Sequence, residues 1–252
     1  MVATEKPRLD LAKKVLPRGL LRAFLSVAEK SDSQMMLVGG TALAGFYAGH
    51  RRSDDLDLFC ASPFSFEATW RAVDLLEQEG AIITSRQSSQ TYQRRVVELL
   101  DHTFTIDVVL DENLFRVGTR LEVGERLGVA SLETLLRMKS ATLVSRASEK
   151  DMYDLLWLFD HFSDLSLGNF LALGQSIDAG VNPEAILYVL GSTRYTSEAC
   201  GFAIGDETPA QALKRIRDLQ KRLIQEISQL LHESEEHSTL GKLVKVVRKL
   251  DK

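Results

Sequence analysis

Two carboxylates stand two residues apart in Asp55-Leu56-Asp57, at the start of the stretch Asp55-Leu56-Asp57-Leu58-Phe59-Cys60. Strict alternation of polar and large apolar residues is the period of a half-buried β-strand, so both carboxylates project from one face. Side by side and bare, they repel each other unless a cation neutralises them. Mg²⁺ suits that task. It takes a couple of carboxylates plus substrate phosphates and keeps waters in its remaining positions. A third acid, Asp107, interrupts the apolar run Thr105-Ile106-Asp107-Val108-Val109. If that strand pairs beside the first, three carboxylates converge, as metal-assisted phosphoryl or nucleotidyl transfer requires, with Mg²⁺ or Mn²⁺ as the ion.

An Asp-x-Asp pair at a strand edge is equally what a solvated face looks like, so the neighbouring residues carry the argument. Val38-Gly39-Gly40-Thr41 ends an apolar strand and opens a helix, where free amides can cradle phosphate oxygens. Alone, the Gly-Gly reads as a tight turn. Arg51, Arg52 and Ser53 precede the carboxylates and suit the outer phosphates of a triphosphate; their plain alternative is a polar turn.

The elements that must position these residues can be read from periodicity. The spacing predicts a helix over 17–30, a buried strand over 35–38, a short helix over 41–48 and a strand over 55–60. An amphipathic helix over 66–79, closed by Gly80, follows, then strands over 81–88, 92–100 and 104–110. Asp101-His102 is the expected hairpin turn between the last two. Residues 121–129 read as a short strand or a loop. From Ser131, a good N-cap, the period becomes helical. Helices are expected to about residue 145, over 151–162, around Phe170 and Ala185, over about 209–233, and over 240–250, with 191–207 a loop. This is an α+β arrangement: residues 1–130 form a core of mixed sheet and flanking helices, and residues 131–252 a helical part.

The run Leu37-Val-Gly-Gly-Thr-Ala-Leu followed by Gly49-His-Arg-Arg-Ser-Asp-Asp-Leu-Asp-Leu-Phe resembles the abortive-infection nucleotidyltransferase toxins of AbiEii/AbiGii type. These belong to the DNA polymerase β-like nucleotidyltransferase superfamily, whose pattern sets a Gly-Gly or Gly-Ser turn before a short helix and then Asp-x-Asp on the next strand. Further on, Ser131-Leu-Glu-Thr-Leu-Leu-Arg-Met-Lys139 and Arg146-Ala-Ser-Glu-Lys-Asp151-Met-Tyr-Asp154-Leu155 resemble the family's lysine and its Asp-x-x-Asp-Leu block. The resemblance implies a polymerase β-like core and catalysis by Asp55, Asp57, Asp107, Lys139 and Asp151. It implies metal at the three strand aspartates and nucleotide phosphates at Lys139, to which the residues themselves add Gly39, Gly40, Thr41, Arg52, Ser53 and Arg146 as nucleotide contacts. It also implies an NTP substrate, an RNA acceptor such as tRNA (or a protein), a cognate antitoxin and a role in phage defence. In the residues themselves, Lys139, Thr142 and Arg146 fall on one helix face, a stripe suited to polyphosphate. Asp151 and Asp154 fall in the first turn of the next helix, where negative charge is favourable in any case.

Composition sets the outer limits. The 252 residues carry 31 Lys+Arg against 35 Asp+Glu, a net charge of −4, with 44% hydrophobic and 26% charged residues. These values exclude fibrous and wholly disordered chains and argue against coating nucleic acid by bulk charge. Two cysteines cannot build a disulfide framework, and neither a signal peptide nor a membrane span stands out, so a cytoplasmic protein is expected. The tail is the exception, with Lys242, Lys245, Arg248, Lys249 and Lys252 against Asp251 alone. It suits RNA phosphates or a docking helix with a solvated basic face. Two rival functions remain open. One is an Asp-x-Asp glycosyltransferase, and the other a non-catalytic nucleotide- or partner-binding protein on the same fold.

Overall fold

The computed structural model describes residues 5–124 and 126–237. Met35-Met36-Leu37-Val38, apolar toward both faces, forms β1 (Met35–Val38) and is buried throughout. A strand of this kind needs neighbours on both sides. β2 (Asp55–Cys60) runs antiparallel along one side and β7 (Leu127–Ala130) parallel along the other. Beyond β2 lies β5 (His102–Leu110), parallel to it, then β4 (Tyr92–Leu99) and β3 (Ile82–Ser88), each antiparallel to its neighbour. β6 (Arg120–Val123) closes the far edge as a hairpin with β7. The mixed sheet has seven strands in the order β3-β4-β5-β2-β1-β7-β6. The segment 121–129, expected as one strand or a loop, therefore holds parts of two strands, reversed at Gly124 with φ +64°.

α2 (Arg18–Lys30) starts directly after Pro17 and sets Leu20, Phe24 and Val27 into the core. α4 (Pro63–Asp74), capped by Ser62, tightens into a 3₁₀ turn over Leu75–Glu79 and stops at Gly80. Both pack on the sheet. α3 (Gly39–Leu43) leaves β1 without a spacer and widens into a π-helical turn, Ala44–Ala48. It joins β1 and β2 to α6 (Leu132–Thr142) and α7 (Glu149–His161). α8 (Leu167–Gln175), α9 (Pro183–Ser192) and α10 (Pro209–His237) complete the helical part. Two short helices were not anticipated, α1 (Leu9–Val15) and α5 (Glu112–Val117). Each buries a single residue of its own, Ala12 or Leu114, too little for a periodic stripe to register. Residues 191–207 are mostly loop, as expected, but they contain a 3₁₀ turn at Glu198–Cys200 and fold back beyond it. Arg52 N–H donates to Phe202 O at 2.7 Å, and Arg51 bridges to Ala203, which pins the segment leading into β2. The expected basic helix over 240–250 lies outside the described residues.

The β4–β5 turn consists of Leu100 and Asp101, one position earlier than expected, with φ of 53° and 59°. Both residues are left-handed, the condition of a type I′ turn, which favours Asn-Gly. Leu100 is also half exposed and gains little from burial there. Leu100→Asn with Asp101→Gly is expected to stabilise the fold by about 0.5–1.5 kcal/mol, read as a higher urea midpoint at unchanged slope.

Candidate active site

β2 and β5 lie in parallel register with Asp57 beside Asp107 and Asp55 beside Thr105, whose hydroxyl donates to the Asp55 carboxylate. The alternation of β2 buries Leu56, Leu58 and Cys60 and leaves Asp55 and Asp57 half-buried on the other face. β1 delivers the Gly-Gly turn against this pair. Gly39 has φ +68°, and a Cβ there would stand 2.1 Å from Asp57 Oδ2. A Cβ at Gly40 would stand 2.2 Å from the Arg51 guanidinium. Both positions exclude side chains, for space at each and for backbone conformation at the first. Burial, then the charges of Asp107 and Asp55, push the Asp57 carboxyl up to about 6. Among the described residues no Lys, Arg or His lies within ion-pair distance of Asp55 or Asp57; the cations nearby go elsewhere.

These carboxylates open into a cavity of about 240 Å³. Gly40, Arg51, Ser53, Asp55, Asp57, Arg94 and Asp107 line it from the sheet side, and Lys139, Arg146, Ser148, Lys150 and Asp151 from the helical side. A larger hollow of about 650 Å³, lined by Arg137, His161 and Asn169 among others, contains none of the expected site residues. Arg94 and Ser148 were not expected at the site, and Lys150 was expected only as part of the basic–acidic block at the start of α7. Arg94 faces Asp107 across β4 and β5 and grips it bidentately, Nε to Oδ1 and Nη2 to Oδ2, both at 2.7 Å. The Tyr92 hydroxyl donates to the same Oδ1 at 3.0 Å.

Beneath the cavity runs a buried charge network. Arg51 reaches Asp154 through Nε at 2.6 Å and Nη2 at 2.8 Å, and His50 Nε2 meets the same carboxylate at 2.9 Å. Lys139 Nζ lies 2.6 Å from Asp154 Oδ2 and 2.9 Å from Asp151 Oδ1. Burial works against the Lys139 ammonium, but Asp154 and Asp151 overcome it and raise its proton affinity. Asp151 also closes a capping box with Ser148 at the start of α7. Lys139 is therefore a buried, paired lysine that shows one side to the cavity. His50, stacked on Tyr153 at 5.5 Å, has its proton affinity lowered by burial and is committed to Asp154.

Residues 20–242 match the family described as "Nucleotidyl transferase AbiEii toxin, Type IV TA system". The chain belongs to the AbiEii nucleotidyltransferase toxin family. Its fold is similar to that of JHP933 from Helicobacter pylori, with TM-score 0.50 and 16% identity over 85% of this chain and 93% of that one. It is also similar to MenT4, a nucleotidyltransferase toxin from Mycobacterium tuberculosis, with TM-score 0.48 and 14% identity over 84% and 90%. A comparison with curated proteins gave no match. As an AbiEii-family nucleotidyltransferase the chain is an enzyme of nucleotidyl transfer, and the glycosyltransferase alternative falls away.

Several expected nucleotide contacts sit differently in this AbiEii-type site. Thr41 is buried, and its hydroxyl donates to Asp55 O and is hydrogen-bonded to the Ser53 hydroxyl; it ties α3 to β2 and does not line the cavity. Arg52 is exposed but outside the cavity wall, while Arg51, expected at the outer phosphates, is spent on Asp154. Arg146 does line the cavity, though not as part of a helical stripe. α6 ends at Thr142, whose hydroxyl donates to Met138 O, and Arg146 lies in the turn beyond. Its side chain is 71% exposed, with Nε 3.4 Å from Asp151 Oδ2. Asp154 lies beyond the first turn of α7 and is wholly buried. Among the described residues no three Asp, Glu, His or Cys side chains are gathered to the spacing of a bound ion. Asp107 is turned onto Arg94, which is why three carboxylates in register do not form a cage. The chemistry of Asp55 and Asp57 still suits a hard divalent cation, being two adjacent acids with no cationic partner.

Proposed function

We propose that this AbiEii-family enzyme binds an NTP together with Mg²⁺ or Mn²⁺ and transfers its nucleoside monophosphate to an acceptor. The acceptor would be an RNA such as tRNA, or a protein, and the chain the toxin of a toxin–antitoxin or phage-defence pair with a cognate antitoxin. The observation that carries this reading is the register that sets Asp57 beside Asp107, with Asp55 on the same face, opposite a cationic wall. Asp55 and Asp57 would hold the cation, with Asp107 joining them once free of Arg94. When bound, the cation supplies charge neutralisation at the phosphates and at the oxygens that exchange on phosphorus.

The residues of the chain itself do the rest. Arg146 and Lys150, at the cavity mouth, bind phosphate oxygens. The Gly39-Gly40 turn lets Asp57 and Arg51 pack against the backbone, and Gly40 presents its main chain to phosphate at the cavity wall. Lys139, held by two carboxylates, keeps a fixed positive charge at the floor. Asp107 orients the acceptor group or takes its proton. In this proposal residues 1–130 carry the acids and residues 131–252 carry the cationic wall that closes over them. No described helix is long and apolar enough to cross a membrane.

Incubation with each α-labelled NTP, Mg²⁺ or Mn²⁺, and total cellular RNA or protein tests the proposal. Label is expected on one acceptor class, and Asp55→Asn is expected to reduce its transfer by about 10²-fold or more. Transfer that survives this substitution, or nucleotide binding with no transfer to any acceptor, would refute it; the second result favours the non-catalytic alternative.

A further inference from the structure

Asp107 stands beside Asp57 in the sheet, yet its carboxylate is occupied by a guanidinium. Arg94 uses Nε and Nη2 on both oxygens at 2.7 Å, and Tyr92 adds a third donor at 3.0 Å. A carboxylate gripped on both oxygens is a poor partner for a cation, because the guanidinium repels the ion and fills the bidentate positions. Two of the cation–carboxylate arrangements of the cavity differ in how firmly the cation is held. Lys139 is 10% exposed and is shared between two acids at the floor, so it has nowhere to go. Arg94 is 41% exposed, at the cavity wall, and has Asp107 as its single ion-pair partner among the described residues. Its release needs only a swing of a long side chain away from Asp107 toward the open side of the cavity, which costs little for an exposed arginine.

We propose that Arg94 is an exchangeable counter-ion, which competes with the divalent cation for Asp107 and turns into the cavity when the cation arrives. This rests on the reading of Asp55, Asp57 and Asp107 as the cation-binding acids. Arg94 is thereby a positioning residue acting through Asp107. It keeps the acid oriented and neutralised, and makes full cation binding conditional on its departure. Once released, its guanidinium faces the cavity, where phosphate is the matching anion.

The test is Mn²⁺ binding to the nucleotide-free protein, followed by the paramagnetic resonance signal of free Mn²⁺. It compares wild type with Arg94→Gln, Arg94→Lys, Arg146→Gln and Asp57→Asn. Arg94→Gln is expected to bind Mn²⁺ about tenfold more tightly, the worth of one charge-assisted bond. Arg94→Lys keeps the charge but loses the fork, and is expected to tighten binding about threefold. Arg146→Gln removes a cation from the same cavity without touching Asp107 and is expected to change affinity less than Arg94→Lys does. If Arg94→Lys binds as wild type does, or Arg146→Gln matches Arg94→Gln, the effect is bulk charge and the exchange is refuted. Unchanged affinity in both Arg94 variants, with binding lost in Asp57→Asn, refutes the exchange and leaves the site intact. Folded wild type that takes up no Mn²⁺, or takes it up undiminished in Asp57→Asn, refutes the reading of the acids and the exchange with it.

Discussion

Asp57→Asn is expected to abolish nucleotidyl transfer and, in chelator-treated protein, to raise stability. The two effects have one cause. Asp57 lies half-buried between Asp55 and Asp107 with no cation in ion-pair distance, so the fold carries an electrostatic penalty that substrate and cation would relieve. Burial and these two neighbours push its carboxyl up to about 6, against 3.8 for an ordinary aspartate. A folded-state value above the unfolded one means that protonation favours the fold. The penalty is therefore fully present above about pH 6 and vanishes below the ordinary aspartate value. Asparagine keeps the shape and removes the charge, and should gain about 1–3 kcal/mol at pH 7.5, with a smaller gain at pH 5. Transfer should fall by about 10³-fold or more, since the cation's charge stabilisation is worth several kcal/mol. Urea denaturation at the two pH values, beside label transfer, checks both. An asparagine variant less stable than wild type at pH 7.5 would make Asp57 a structural acid.

The parts of the site that depend on short-range periodicity were legible in the sequence. β2 declares itself because each carboxylate alternates with an apolar residue, and β1 because it is apolar toward both faces. Ser131, the expected N-cap, accepts the backbone N–H of Thr134 and starts α6, while α7 begins at Glu149 behind a Ser148 cap, two residues before the expected start. Arg94 was hidden by one residue. A turn at Asp101-His102 shifts every pairing of the hairpin by two positions and would set Val96 opposite Asp107. The observed turn at Leu100-Asp101 sets Arg94 there. Sequence favoured the wrong turn because leucine in the left-handed region is uncommon. Arg51 was hidden by distance. Within Arg51-Arg52-Ser53 nothing distinguishes the arginine that will be buried, and its partner Asp154 lies 103 positions away. The phosphate stripe on α6 failed for a local reason, since the helix stops at Thr142 before Arg146 can join its face.

Asp154→Asn is expected to be the most destabilising single change in the cavity region, at about 3–5 kcal/mol. Its carboxylate is wholly buried, and burial alone would raise its proton affinity. Lys139 and Arg51 outweigh that and hold it well below the usual carboxylate range. Asparagine cannot compensate two cations. Arg51, 2% exposed, would lose its ion-pair partner, and Lys139 would keep only Asp151. A depressed folded-state value gives stability that is present above the unfolded value and lost as pH falls through the folded one. The gap between variant and wild type should therefore be full from pH 6 to 8. A drop in melting temperature over that range, without a change of its size, is the expected measurement. Asp151→Asn is expected to cost less, because Lys139 retains Asp154 and Ser148 still caps α7 from its own hydroxyl. The pair of variants separates two roles that adjacent turns of one helix would otherwise confuse. If Asp154→Asn left stability intact and removed transfer, the buried acid would belong to the chemistry and not to the frame beneath it.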